Sequence, residues 1–336
     1  MRINITLFIA LLVLMLLNIL YGSVDIPASQ VVNALLGNPV ERQSWAYIVT
    51  ESRVPQTITA TLCGASLAVS GLVLQTLFHN PLAGPSILGI TNGASLGVSL
   101  VMLAFGGVIG MGTGGAEFQI GGFLAVVIGA FIGSMAVILL ILAFSTLLRG
   151  TLMLLIVGIM VGYLASSVVS LLNLFASADN IRGFTMWGMG SFSDVTTEQL
   201  PWFAAVSLFS LLASIMLVKP LNILQLGDGY AHSLGINIKK TRRQLLLATG
   251  LLTATATAFC GPVTFVGLAV PHIARLIVRT SRQQTLLPAT LLTGSIVALL
   301  CNLVCVMPSN IIIPVNAVTP LFGAPVILYI ICRNRR

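Results

Sequence analysis

Residues 219–244 read KPLNILQLGDGYAHSLGINIKKTRRQ, the most polar long stretch in a chain otherwise apolar enough to sit in lipid. Its middle, Leu226-Gly-Asp-Gly-Tyr-Ala-His-Ser-Leu-Gly235, carries the punctuation of one short helix. Asp228 fits an N-cap and Gly235 fits a left-handed stop. Leu226, Tyr230 and Leu234 recur every four residues and give that helix one apolar stripe. Asn237 is then placed to cap a second short turn, which Lys239, Lys240, Arg242 and Arg243 would hold at an interface. An amphipathic knob on a basic stalk fits a docking surface. It equally fits an ordinary positively charged loop, and these residues alone leave both readings open.

The rest of the chain settles where this stretch must lie. Charged residues make up 7% of the sequence and hydrophobic ones 57%, whereas a soluble domain carries about 25% charged residues. The composition is that of a polytopic, all-α integral membrane protein. Its net charge of +8 is therefore no nucleic-acid footprint and has to be located along the chain. The five cysteines (Cys63, Cys260, Cys301, Cys305 and Cys332) fall in or beside apolar runs, with no CxxC pair, and read as small packing residues. Ile3 to Tyr21 has no small-residue cleavage site after it and reads as a retained first helix.

Counting apolar runs of membrane-spanning length predicts ten helices. They lie near 3–21, 55–77, 87–110, 119–147, 151–176, 200–218, 244–260, 265–280, 285–307 and 318–332. An even number puts both termini on one side, and the charges choose the side. With the N-terminus inside, the inner segments hold thirteen basic residues against one acid, Asp228. The outer segments hold Arg42, Arg53 and Arg182 against seven acids. So strong a bias predicts cytoplasmic termini and a cytoplasmic 219–243 segment within one permease domain spanning residues 1–336.

The spans hold no Asp, Glu, Lys or Arg near mid-membrane, where ion-coupled transporters usually keep their coupling charge. They are rich in small residues instead. Gly158, Gly162, Ser166 and Ser170 recur every four positions in the fifth span, and Ala60, Gly64 and Ala68 do so in the second. Close helix packing explains such a pattern; a wet lining that includes Ser167 and Asn173 is the other reading. Two stretches, His79 to Gly97 and Cys260 to His272, combine Pro and Gly as irregular backbone does where protein or a cavity covers it. No phosphate-binding Gly-Lys loop, nucleophile elbow or metal-ligand spacing is present. The sequence predicts no catalytic residue, metal or cofactor, and any uphill work must be powered by another chain.

Four signatures together resemble the permease subunits of type II ABC importers, which bring in iron-siderophores, haem and cobalamin. Arg53-Val-Pro55 with Gly64-Ala-Ser-Leu-Ala-Val-Ser-Gly71 is the first, and Asn80-Pro-Leu-Ala83 with Leu88-Gly89 and Asn92-Gly-Ala94 the second. Trp187-Gly-Met-Gly-Ser191 is the third. Gly261-Pro-Val-Thr-Phe-Val-Gly-Leu-Ala-Val-Pro-His272, with Leu321-Phe-Gly-Ala-Pro325, completes the set.

The resemblance covers about residues 26–333 and implies a ten-helix subunit of the inner membrane, paired with itself or a close relative. It implies a cytoplasmic ABC ATPase dimer, a periplasmic or lipid-anchored binding protein, surrounding lipid, and no nucleic acid. It makes Leu226, Gly227, Asp228, Tyr230, Ala231, Leu234 and Gly235 the ATPase-coupling segment, and Gly150, Thr151 and Leu152 the cytoplasmic gate. Gly158, Gly162, Ser166, Ser167, Ser170 and Asn173 would follow the translocation path. Arg53, and Arg42 with it, would dock the binding protein. Gln56, Asn302 and Val306 depart from the charged residues common at these places in the family, which removes the usual paired salt bridges. The expected activity is ATP-driven import of a metal chelate by alternating access. An ion-coupled secondary transporter and a membrane scaffold are the alternatives.

Overall fold

A computed structural model describes residues 2–104, 108–111, 118–148, 151–307 and 313–333. Helix α1 (Arg2–Leu20) leads to two short helices, α2 (Ala28–Leu35) and α3 (Gln43–Tyr47). A π-helical turn, Ile48–Arg53, joins α3 to α4 (Val54–Leu77). Helix α5 (Ile90–Ser99) runs into a second π-helical turn, Leu100–Ala104, and then strands β1 (Val108–Met111) and β2 (Phe118–Gly121). Next come α6 (Gly122–Leu147), α7 (Thr151–Phe175), α8 (Ala178–Gly188), α9 (Leu200–Met216) and α10 (Val218–Leu224). The remaining helices are α11 (Asp228–Ser233), α12 (Ile238–Cys260), α13 (Val266–Val278), α14 (Gln283–Val306) and α15 (Val315–Arg333).

Each predicted apolar run has a helix at its centre. Among the described residues, five helices are long and apolar enough to cross a membrane, or six if α9 and α10, bent by 51°, form one span. Three further apolar segments, Ile90–Ala104, Val266–Val278 and Val315–Tyr329, are shorter. Among the described residues the fold is all-α apart from one small hairpin.

Helix α4 is the axis of the molecule. Every residue from Cys63 to Leu77 is buried, and α9, α12, α13 and α14 pack around it. A helix that is apolar on all sides belongs in such a position. The approach of α14 depends on missing side chains. A Cβ added at Gly64 would lie 2.3 Å from the Gly294 carbonyl oxygen, and one added at Gly294 would lie 2.4 Å from that of Gly64. Backbone therefore touches backbone, as small-residue packing in membranes allows. Cys63, Cys260, Cys301 and Cys305 are buried in this core as free thiols, and Cys332 is exposed.

Three expectations need correction. The third and fourth predicted spans were extended into 108–110 and 119–121, yet these residues pair as antiparallel strands, Val108 opposite Gly121. The glycines at 106, 107, 110, 112, 114 and 115 weaken a helix by about 1 kcal/mol each, whereas Val, Ile and Phe favour an extended chain. Helix α12 starts at Ile238 rather than near 244. Asn237 caps this long helix, accepting the Lys240 N–H at 3.0 Å, and forms no separate short turn. Helix α13 continues through Pro271 to Val278. The irregular backbone expected over Cys260 to His272 therefore ends at Phe265, and Arg275 Nη1, within α13, donates to Gln75 Oε1 at 2.8 Å.

Candidate functional site

The coupling segment stands on a fixed base. The chain bends between α9 and α10, and Leu221 and Leu224 of α10 enter the core. Asn222 Oδ1 accepts the backbone N–H of Gln283 at 2.8 Å, which caps the start of α14. His79 Nε2 donates to the Leu224 carbonyl at 3.0 Å, tying α10 to the irregular stretch after α4. That stretch satisfies its own backbone through bonds such as Leu82 N–H to Asn80 Oδ1 at 2.9 Å. It is tied in turn to α13, where His272 Nε2 donates to the Pro81 carbonyl at 2.8 Å. Ala83, Gly84 and Pro85 of this stretch are buried while His79, Pro81, Leu82 and Ser86 are exposed, so protein covers its irregular backbone only in part.

From this base the chain turns at Gly227, with φ +100°, into α11. Gly227 and not Asp228 holds the N-cap position, and no side chain closes that end. Asp228 is the first helical residue. The far end is a Schellman turn. Ile236 N–H donates to the Ala231 carbonyl at 3.1 Å and Gly235 N–H to that of His232 at 3.0 Å, with Gly235 at φ +76°. The left-handed stop read from Gly235 is thus the geometry found.

Between these turns the helix has two sides. Ala231 is 0% exposed and faces the core, while Leu226, Tyr230 and Leu234 are 64%, 60% and 54% exposed. Only Tyr230 of the three lies within the six-residue helix; Leu226 precedes its Gly227 cap and Leu234 is its C-cap, so the expected single-helix stripe is instead an exposed apolar cluster on and around α11. Exposed large apolar residues grouped in this way mark a surface made to be covered.

The expected gate begins α7: Thr151 is its first residue, Leu152 is exposed, and Gly150 lies outside the described residues. The expected path residues of α7 divide into two groups. Gly158 and Gly162 pack against the turn before α5, where a Cβ added at Gly89 would lie 2.7 Å from the Gly158 carbonyl oxygen. Asn92 Nδ2 donates to the Gly162 carbonyl at 3.1 Å. These two glycines are packing residues. Ser166, Ser167 and Ser170 instead lie exposed on the open side of α7, and Asn173 is half-buried at its edge.

The expected docking residues also separate. Arg53 is 4% exposed. Its Nη1 donates to the carbonyls of Ile19 and Leu20 at 3.0 and 2.7 Å, and its Nη2 to that of Val24. It closes the C-terminal end of α1, where cations are favoured, and offers little to an incoming protein. Arg42 is exposed and stacks over the Trp45 ring at 5.1 Å.

Where the family often has charges, this chain builds a neutral amide chain. Gln56 Nε2 donates to Asn302 Oδ1 at 3.0 Å, and Asn302 Nδ2 donates to Asn18 Oδ1 at 2.8 Å. Asn18 Nδ2 in turn donates to the Leu14 carbonyl at 2.8 Å. Gln56, Asn302 and Val306 line a cleft of about 620 Å³ with Met102, Met186, Met189 and Trp187. Asn18 and Asn316 were not singled out from sequence. Asn316 accepts the Thr264 N–H at 3.1 Å and donates to the Gly188 carbonyl at 2.9 Å, joining α15 to the break before α13 and to the end of α8. An amide inside an apolar run was the signal available for both.

The described residues thus form a glycine-packed bundle of apolar helices, several of them long enough to cross a membrane, with a tethered apolar knob at one end of it. Residues 10–333 match the FecCD transport family, and the chain belongs to it. It is thus an ABC-transporter permease, a multi-pass protein of the inner membrane. It is similar to the hemin transport system permease protein HmuU of Yersinia pestis, 32% identical and covering 99% of this chain and 98% of that one. The vitamin B12 import system permease protein BtuC of Photorhabdus laumondii subsp. laumondii is 35% identical, covering 85% of this chain and 82% of the relative. A solved inward-facing structure of a transporter proposed to be of the metal-chelate ABC type superposes with a TM-score of 0.85. It is 28% identical and covers 99% of both chains.

Proposed function

We propose that the chain is the membrane half of an ATP-driven importer that moves a metal chelate, such as a ferric siderophore, haem or a corrinoid, into the cytoplasm by alternating access. In this reading residues 1–336 form one domain that crosses the membrane ten times with both termini inside. The α11 knob docks in a cleft of a cytoplasmic ATPase dimer. A second copy or a close relative pairs along α7 and α15, and Thr151 and Leu152 lie at the inner gate. A binding protein approaches the outer cleft, with Arg42 as the cation it can meet. The haem and vitamin B12 roles in the relatives' names support the cargo class.

The observation that carries this reading is the exposed apolar cluster of Leu226, Tyr230 and Leu234 on and beside α11, whose Ala231 is buried against the body of the protein. Burying one leucine is worth roughly 1.5–3 kcal/mol, so the cluster can supply much of a docking energy. Leu234→Asp puts a charge into it without touching the core. The variant is expected to insert normally but to lose co-purification with its ATPase, and cargo-stimulated ATP hydrolysis should fall to the basal rate. Full association and stimulation in that variant would sink the docking assignment.

A further inference from the structure

Two segments run from one cleft to one hydrogen bond. The cleft of about 620 Å³ is lined by Met186 and Met189, both exposed, and by the buried rings of Trp187 and Phe192. Asp194 lines it too, and three residues further on Thr197 Oγ1 donates to Glu51 Oε2 at 2.6 Å. Gln56 of α4 lines the same cleft. Glu51 precedes it by five residues in the π-helical turn that runs into α4, about 7 Å along the axis. Glu51, Asp194 and Glu198 therefore form one rim beside the cleft. All three are exposed, and among the described residues no cation pairs with any of them. Trp187 adds a second sign of a missing partner. Its indole N–H is buried with no hydrogen-bond partner among the described residues, a state that costs free energy until another group completes it. The predicted outer segments carry one sign of charge around this rim. Asp25, Glu41, Glu51, Asp179, Asp194 and Glu198 are all exposed, against Arg42 and Arg182, while Arg53 is held on the carbonyls of α1.

We propose that this face receives the binding protein through a basic surface, whose lysines or arginines meet Glu51, Asp194 and Glu198 while one apolar side chain enters the cleft. The polarity is the reverse of docking by partner acids on permease arginines, for which Gln56, Asn302 and Val306 leave no cation. The proposal rests on the importer reading, which brings a binding protein to this side. An apolar centre with a polar rim is the usual anatomy of a protein interface, and charges on the rim steer the encounter. A chelate seated in the cleft would leave Glu51 and Glu198 uncovered, since both lie outside its lining. A protein surface covers cleft and rim at once.

The test uses the full-length permease with its ATPase in lipid nanodiscs, and the binding protein that stimulates ATP hydrolysis by this complex. Affinity is read by biolayer interferometry at about 50 and about 500 mM salt, where exposed charges are felt and screened respectively. With about a twofold contribution per exposed pair, Glu51→Gln, Asp194→Asn and Glu198→Gln together should weaken binding about eightfold at low salt and little at high salt. Met186→Gln should weaken it about fivefold at both, because an apolar contact is not screened. Unchanged affinity in the triple variant would overturn the proposal, and tighter binding would overturn it by placing the acids on the partner. Hemin or cyanocobalamin bound alone to wild type and lost in Met186→Gln would also overturn it and give the cleft to cargo. The two readings fail differently. Full affinity and stimulation in every variant refute the docking polarity and leave the importer standing, whereas a wild-type complex that no binding protein stimulates sinks both.

Discussion

Asn302 shows how one polar side chain can hold three helices together inside an apolar bundle. Its amide accepts from Gln56 of α4 and donates to Asn18 of α1 while its own backbone belongs to α14. Each group is neutral, so no ion is desolvated, and each lends the next a partner that lipid cannot provide. Asn302→Leu removes both bonds and strands the side-chain oxygen Oδ1 of Asn18. Interhelical bonds in membranes average about 0.6 kcal/mol, and an orphaned buried acceptor costs about 1–3 kcal/mol. The loss should therefore be about 1–3 kcal/mol, read as a lower thermal midpoint of the detergent-solubilised protein. An unchanged midpoint would mean that the amide chain does not hold α1 in place. Arg53 belongs to the same junction: its guanidinium takes the last carbonyls of α1, so the sequence motif that contains it has a structural task here.

Helices α4 and α14 owe their contact to glycines, and this can be tested without approaching the coupling surface. A Cβ on Gly294 would meet Ala68 Cβ at 2.5 Å and the Gly64 carbonyl oxygen at 2.4 Å. Overpacking of this kind costs roughly 1–3 kcal/mol, and more where backbone must move. Gly294→Val should sharply reduce the folded yield, whereas Gly183→Val on α8, with nothing within 4 Å, should leave it near wild type. Equal yields would refute backbone contact between the two helices. This packing was legible in the sequence because Ala60, Gly64 and Ala68 repeat along a single helix. The α11 knob was legible for a similar reason, since its apolar cluster and its Gly235 stop lie within ten residues. The β1–β2 hairpin was hidden inside apolar runs, where length argued for helix and only the glycines argued against it. The amide chain was also hidden, because residues 18, 56 and 302 meet only after the bundle has formed.

At the scale of the whole molecule, the bundle is closed around α4 but open along α7. Helix α7 is held at Gly158 and Gly162 by the turn before α5, while Leu164, Leu171, Leu174 and Phe175 are exposed. Bare apolar surface cannot by itself separate lipid from a second subunit, because lipid tails are as apolar as leucine. The small polar residues on that side are more telling. Ser170 donates back to the Ser166 carbonyl at 3.0 Å, which removes most of the cost of its hydroxyl. The Asn173 amide oxygen is buried with no hydrogen-bond partner, a state that costs about 1–3 kcal/mol until water or another chain completes it. Ser170 is thus at ease against lipid or protein alike, and it is the orphaned Asn173 oxygen that favours a partner and a wet seam over lipid along this face. In a background with the exposed Cys332 changed to serine, the remaining native thiols are buried, so a cysteine at position 167 reports on its surroundings alone. Ser167→Cys in native membranes should give a cross-linked dimer with a short bifunctional thiol reagent, and chelate cargo should alter its yield. A cysteine at the same site that remains monomeric and is labelled only by lipid-soluble maleimide would place α7 against the bilayer and move the subunit contact elsewhere.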